Sequence, residues 1–105
     1  MTVDVCPLDA LPPGTMKLVS AGPLLTLGVY NVDGELFALE DRCSHDDGPL
    51  VEGDWEPERG VVVCPRHGAT FDICSGRALT LPAYQPVDTF PVRVDDDATV
   101  VVDIT

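Results

Sequence analysis

Long apolar runs are missing from this sequence, and so are the usual signals for export. No stretch approaches the roughly 20 consecutive apolar residues that a membrane-spanning helix requires. Residues 1–5 lack the basic and apolar regions of a secretory signal, and there is no twin-arginine pair. We therefore expect a cytoplasmic protein with no membrane contact.

Basic residues are also scarce. Lys and Arg number 6 against 18 Asp and Glu, and the formal net charge is −12. Because no basic patch is present to neutralise phosphates, nucleic acid is not an expected partner. The acidity leaves two interpretations open, attraction to basic surfaces of protein partners or solubility alone. With 105 residues and 45% hydrophobic content, the chain suits one globular domain, residues 1–105, with a monomer as the default assembly.

Helical periodicity is missing as well. Short apolar runs are broken by 10 Pro and 9 Gly, which predicts an all-β fold. Asp33-Gly34 predicts a two-residue hairpin turn, because both central residues of such a turn need positive φ. A second turn is predicted over 95–97. The predicted strands cover residues 25–30, 35–39, 61–63, 70–72, 90–94 and 99–104.

Cysteine and histidine are few, 4 and 2, and most of them fall into two short boxes. The first box is Cys43-Ser44-His45 and the second is Cys64-Pro65-Arg66-His67. In a [2Fe–2S] core each iron already holds two bridging sulfides, so each iron lacks two protein ligands. Two thiolates on one iron and two imidazoles on the other complete both sites. The pattern predicts Cys43, His45, Cys64 and His67 as the ligands of one [2Fe–2S] cluster.

The residues around both boxes resemble the Rieske family. The likeness covers Cys43–Leu50, Cys64–Asp72 and the tail Ser75–Arg77, and it extends over most of the chain. It implies the Rieske fold, with a β framework from residues 1–40 and 80–105 and an inserted cluster-binding lobe over 41–79. It also implies that the two cysteines hold the inner iron and the two histidines the outer one. The stretch between the boxes is at the long end of the family's range, and we assign the extra length to a polar surface loop over 52–60.

Three alternatives to a Rieske cluster stay open. A zinc site also uses two Cys and two His, but zinc fingers pair the cysteines first and the histidines second. A Cys–His nucleophile pair would leave the other pair unexplained. The small subunit of assimilatory nitrite reductase often keeps the Rieske fold without a cluster, but all four ligands are present here.

The resemblance implies a soluble Rieske ferredoxin and not an enzyme. Such a protein carries one electron at a time from a flavin-dependent reductase to a terminal non-haem iron oxygenase or similar acceptor. The alternative is a subunit of a larger complex, either nitrite-reductase-like or associated with iron–sulfur assembly.

Residues near the predicted ligands indicate a low reduction potential. High-potential members of the family carry a disulfide where this chain has Asp46 and Arg66, and hydroxyl donors where it has Ala69 and Phe71. Since hydrogen bonds to sulfur favour the reduced state, their loss predicts a potential on the order of −150 mV.

For five further residues the sequence predicts a structural role or leaves two roles open. Gly48 and Gly68 either donate N–H groups to sulfur or simply serve their turns. Trp55 is expected to pack partly against the lobe, in preference to marking a docking surface. Cys74 is expected to be a small packed side chain and Cys6 to be structural or incidental, both as thiols.

Overall fold

The regular secondary structure of the described residues consists almost entirely of short β-strands. The computed structural model describes residues 2–22, 25–41, 54–65, 68–80 and 86–104. One 3₁₀ turn, Leu8–Ala10, follows the first strand, and within the described ranges no helix has the length and apolar character needed to cross a membrane. The strands are β1 Thr2–Pro7, β2 Met16–Ser20, β3 Thr26–Val32, β4 Glu35–Glu40, β5 Trp55–Glu56, β6 Val61–Val63, β7 Thr70–Asp72, β8 Thr89–Phe90, β9 Val92–Val94 and β10 Thr99–Asp103. The all-β prediction is confirmed.

These strands form three antiparallel sheets. Sheet A has the order β1-β10-β9, sheet B the order β2-β3-β4-β8, and sheet C the order β5-β6-β7. Sheet C is drawn entirely from residues 55–72, whereas sheets A and B use strands that end by residue 40 or begin at residue 89. The strand positions agree with an inserted lobe, although its boundaries at 41 and 79 stay a prediction.

The predicted hairpin between β3 and β4 is present. Asp33 and Gly34 have φ values of 54° and 95°, and they are the two residues between the paired strands. Asn31, which is buried, supports this turn: its Oδ1 accepts a hydrogen bond from the Gly34 N–H, and its Nδ2 donates to the Leu11 carbonyl, both at 2.8 Å. Because both ends of the amide are paired, the buried polar side chain stabilises the turn.

The predicted strand over 90–94 is divided in the structure. Pro91 separates β8, which pairs with β4 in sheet B, from β9, which pairs with β10 in sheet A. Proline has no N–H to donate to a ladder, so the chain changes sheets at this residue. The predicted turn after β9 is confirmed, since Asp95 Oδ1 accepts hydrogen bonds from the N–H groups of Asp97 and Thr99 at 3.0 Å.

Sheet B lies between two hydrophobic cores. Neighbouring residues of β3 and β4 face opposite sides, so that Val29 and Ala38 belong to one core while Tyr30 and Leu39 belong to the other. The A–B core consists of the buried residues Cys6, Leu11, Leu27, Val29, Ala38, Val100 and Val102. The B–C core consists of the buried residues Tyr30, Leu39, Val62, Cys64, Ala69, Phe71, Ile73 and Val87.

The predicted surface loop over 52–60 contains a strand. Trp55 and Glu56 form β5 and pair with β6 at the edge of sheet C. The Trp55 ring is half-buried and forms a T-shaped pair with the Tyr30 ring, with ring centroids 5.0 Å apart and an interplanar angle of 72°. Trp55 therefore packs partly, as expected, but its ring partner Tyr30 belongs to sheet B.

Candidate metal centre

Of the four predicted ligands, Cys64 lies within the described residues, and Cys43, His45 and His67 lie outside them. Cys64 directly follows β6 and is 1% exposed, and its thiol forms no disulfide. The structure therefore shows a buried thiol at the end of a core strand. The assignment of the full ligand set stays a prediction.

Two backbone hydrogen bonds close the loop that begins at Cys64. The Cys64 N–H donates to the Ala69 carbonyl at 2.7 Å, and the Gly68 N–H donates to the Cys64 carbonyl at 3.0 Å. Gly68 has a φ of 76°, which glycine adopts without strain. Since its N–H is engaged in the turn, the structure supports turn chemistry for Gly68 over donation to sulfur.

An apolar wall surrounds the Cys64 thiol. Val62, Ala69 and Phe71 share its face of sheet C, because the side chains of a strand alternate and these residues lie opposite one another in register. Each of them is 0% exposed, and Leu39 of sheet B belongs to the same core. An apolar shell limits access of water to a metal site and so influences its reduction potential.

The tail of the second box is a tight turn tied to the chain before β8. The Gly76 N–H donates to the Asp72 carbonyl at 2.7 Å, and the Ser75 hydroxyl donates to Asp72 Oδ2 at 2.7 Å. The Val87 N–H in turn donates to the Gly76 carbonyl at 2.8 Å. Gly76 has a φ of 76°, and a Cβ at this position would collide with the Val87 carbonyl oxygen. Only glycine permits this close approach.

The two cysteines outside the boxes differ in burial. Cys6 is 9% exposed in the A–B core, in agreement with a structural role. Cys74 is exposed in the turn after β7, so the prediction of a packed side chain is wrong. The sequence neighbourhood of Cys74 gave no signal for this, because the exposure of a turn residue depends on how the turn sits on the fold.

Tyr30 is the residue near this site that the sequence reasoning missed. It is 0% exposed in the same core as Cys64, and its hydroxyl has no hydrogen-bond partner among the described residues. Burial raises the pKa of Tyr30 well above its ordinary value, and the negative charge of Asp41 raises it further. The phenol therefore stays protonated at neutral pH.

The donor set suits the predicted group. Within the described ranges, no three His, Cys, Asp or Glu side chains lie close enough together to hold a metal ion. The two boxes together offer two thiols and two imidazoles, the mixed set of a Rieske cluster. Cys64, one of these two thiols, is buried and forms no disulfide, so its sulfur is available to bind iron as a thiolate.

A model of the Rieske [2Fe-2S] domain matches residues 1–91 of the chain. The chain belongs to the Rieske family. It is 40% identical over 90 residues to the 3-phenylpropionate/cinnamic acid dioxygenase ferredoxin subunit of Escherichia coli (strain K12), a match that covers 86% of this chain and 82% of that protein.

Solved Rieske structures have the same fold. Sphingomonas yanoikuyae B1 ferredoxin matches with a TM-score of 0.86 and 31% identity, and the match covers 100% of both chains. A chain in the complex of reduced oxygenase and oxidized ferredoxin of carbazole 1,9a-dioxygenase matches with a TM-score of 0.87 and 33% identity, over 96% of this chain and 91% of that one. The Rieske fold and one Rieske-type [2Fe–2S] cluster are thereby assigned, which sets aside the zinc, nucleophile and cluster-free alternatives.

Proposed function

We propose that this Rieske protein is the ferredoxin component of an oxygenase system. It takes single electrons from a flavin-dependent reductase and delivers them to a terminal non-haem iron oxygenase. The observation that carries the proposal is the match, over 86% of the chain, to a relative named as a dioxygenase ferredoxin subunit. The only two histidines, His45 and His67, lie in the ligand boxes, so this chain does not supply an oxygenase's two-histidine, one-carboxylate iron site. The protein is a carrier and not a catalytic subunit.

We assign Cys43 and Cys64 to the inner iron and His45 and His67 to the outer iron. The bound cluster supplies a centre that accepts and releases one electron. The chain keeps the Cys64 side dry by burying it in the B–C core, whereas Pro65 and Gly68 of the second loop are exposed. This arrangement suits electron exchange on the loop side of the cluster.

An EPR-monitored redox titration of the purified protein at neutral pH tests the proposal. We expect the rhombic signal of a reduced Rieske cluster and a midpoint on the order of −150 mV. A high midpoint would contradict the low-potential assignment and indicate a quinol-linked or similar chain. Absence of the signal after reconstitution with iron and sulfide would contradict the carrier function itself.

We attribute the predicted low potential to two residues that lack a hydroxyl. Ala69 and Phe71 are both fully buried beside Cys64. Ala69→Ser and Phe71→Tyr should each raise the midpoint if the new hydroxyl reaches a cluster sulfur. Phe90→Tyr is the matched control, because Phe90 packs against the A–B core and should leave the midpoint unchanged. Equal midpoints in all three variants would show that positions 69 and 71 do not tune the cluster.

The net charge of −12 favours partners with basic docking surfaces. Rates of reduction by the reductase and of oxidation by the oxygenase should then fall steeply as salt is raised, because opposite charges steer association most strongly at low ionic strength. A rate that does not change with salt would assign the acidity to solubility alone.

We also propose that the protein works as a cytoplasmic monomer. The exposed, unpaired thiol of Cys74 suits a reducing compartment. Cell fractionation and gel filtration test these two points. Tight co-purification with one large partner would favour the alternative, a fixed subunit of a larger complex, over a mobile carrier.

A further inference from the structure

Tyr30 carries a polar group in the buried B–C core. It is 0% exposed at the centre of β3 and faces sheet C, where it shares the B–C core with Val62, Phe71 and Cys64. The Trp55 ring packs against it in a T-shaped arrangement, with centroids 5.0 Å apart. The ring is therefore held in place by packing on sheet C, and the hydroxyl is removed from bulk water.

The hydroxyl of Tyr30 has no hydrogen-bond partner among the described residues. Buried hydroxyl groups in native proteins are almost always paired, because an unpaired one loses its bonds to water without replacement. The phenol also holds its proton at neutral pH, as an ordinary tyrosine does, and burial raises the pKa of Tyr30 further. Tyr30 is therefore a buried hydrogen-bond donor without an acceptor among the described residues.

The shared core locates that acceptor. Cys64 directly follows β6, is 1% exposed and lies in the same core as the Tyr30 ring. The unpaired hydroxyl and the thiol of this predicted ligand are thus enclosed by the same apolar side chains.

We propose that the Tyr30 hydroxyl donates a hydrogen bond to sulfur on the cysteine side of the cluster and favours its reduction. Such a bond stabilises the more negative, reduced state and raises the midpoint potential. The inference rests on the proposed function, because it takes the cluster to be the group that is reduced and reoxidised.

Tyr30→Phe removes the hydroxyl and keeps the ring, and its effect is measured on the purified, cluster-loaded protein. We expect a midpoint shifted to more negative potential, equivalent to a roughly threefold to tenfold loss in the equilibrium constant for reduction. One exchangeable-proton coupling should also disappear from the electron–nuclear double resonance spectrum of the reduced protein, as judged by comparing H₂O with D₂O. Trp55→Phe is the control, because it alters packing on the same ring and leaves the hydroxyl in place.

A second substitution predicts a shift in the opposite direction. In a Tyr84→Phe background, 3,5-difluorotyrosine at position 30 makes the phenol a stronger donor, so the midpoint should rise. This measurement keeps the test decisive if the Tyr30→Phe protein does not fold.

An unchanged midpoint and an unchanged proton spectrum in the Tyr30 variants, with a normal Rieske signal, would overturn this inference and leave the carrier function intact. A wild-type protein without any Rieske signal would overturn both. A midpoint that moves as much in Trp55→Phe as in Tyr30→Phe would assign the effect to packing and likewise overturn the role of the hydroxyl.

Discussion

The two hydrophobic cores on either side of sheet B are built differently. The buried members of the A–B core are aliphatic apart from Cys6. The buried members of the B–C core include Tyr30, Phe71 and the predicted ligand Cys64, and Trp55 packs against them. The A–B core holds two sheets together, whereas the B–C core also contains Cys64, one of the four predicted ligands. Residues of the same type in the two cores should therefore differ in their effect on the cluster more than in their effect on stability.

The largest contrast is expected between the two buried cysteines. Cys64→Ala removes a predicted thiolate ligand from the B–C core and should abolish the cluster, because the inner iron would lack a donor. Cys6→Ala removes a thiol of similar burial from the A–B core and should keep the cluster. Iron and sulfide content with the visible absorption spectrum measure both. A stable cluster in Cys64→Ala would refute the ligand assignment.

Two leucines offer the next contrast. Leu39 in the B–C core and Leu27 in the A–B core are both 0% exposed. Replacement of either by alanine should lower the free energy of unfolding by about 2–5 kcal/mol, as lost apolar burial and a cavity predict. Only Leu39→Ala should also speed the loss of the cluster. Urea unfolding and bleaching rates test this, and equal bleaching rates would mean that the two cores are equivalent for the cluster.

Two glycines with similar φ angles measure the crowding beside the second box. Gly76 and Gly14 have φ values of 76° and 84°, but a Cβ meets Val87 and Thr89 at Gly76 and nothing within 4 Å at Gly14. Alanine at either position incurs the left-handed strain of about 1–2 kcal/mol. Gly76→Ala should cost about 1–3 kcal/mol more, because atoms must shift to admit the methyl group. Equal unfolding free energies of the two variants would show that Val87 and Thr89 shift to admit the methyl group without a measurable cost.

The smallest effect concerns the pH dependence of the B–C core. The folded-state pKa of Tyr30 is raised above its unfolded value, chiefly by burial. The stability that this contributes is fully present below pH 10 and is lost as the pH rises above the unfolded pKa, where the unfolded chain releases the proton first. Between pH 10 and 11, wild-type protein should lose about 1 kcal/mol more than Tyr30→Phe. Parallel unfolding curves for the two proteins across this range would contradict the pKa shift.

Much of the fold was predictable because its signals are local. The Asp33-Gly34 turn, the strand that leads into Cys64 and the turn at Asp95 are each specified by a few adjacent residues. The division of the last strands at Pro91 was missed, because it depends on two sheets competing for the same stretch of chain. The strand at Trp55 was missed for a related reason, since it exists only through pairing with β6.

By itself the sequence determined the all-β class, the hairpins and the candidate ligands, because turn chemistry and metal-ligand chemistry depend on residue type and short spacing. Only the tertiary structure decided which side chains face which core. It buried both faces of β3, exposed Cys74, and enclosed the Tyr30 hydroxyl in the core that contains Cys64. These outcomes depend on how the three sheets pack against one another, and neither residue type nor periodicity along the chain predicts that packing.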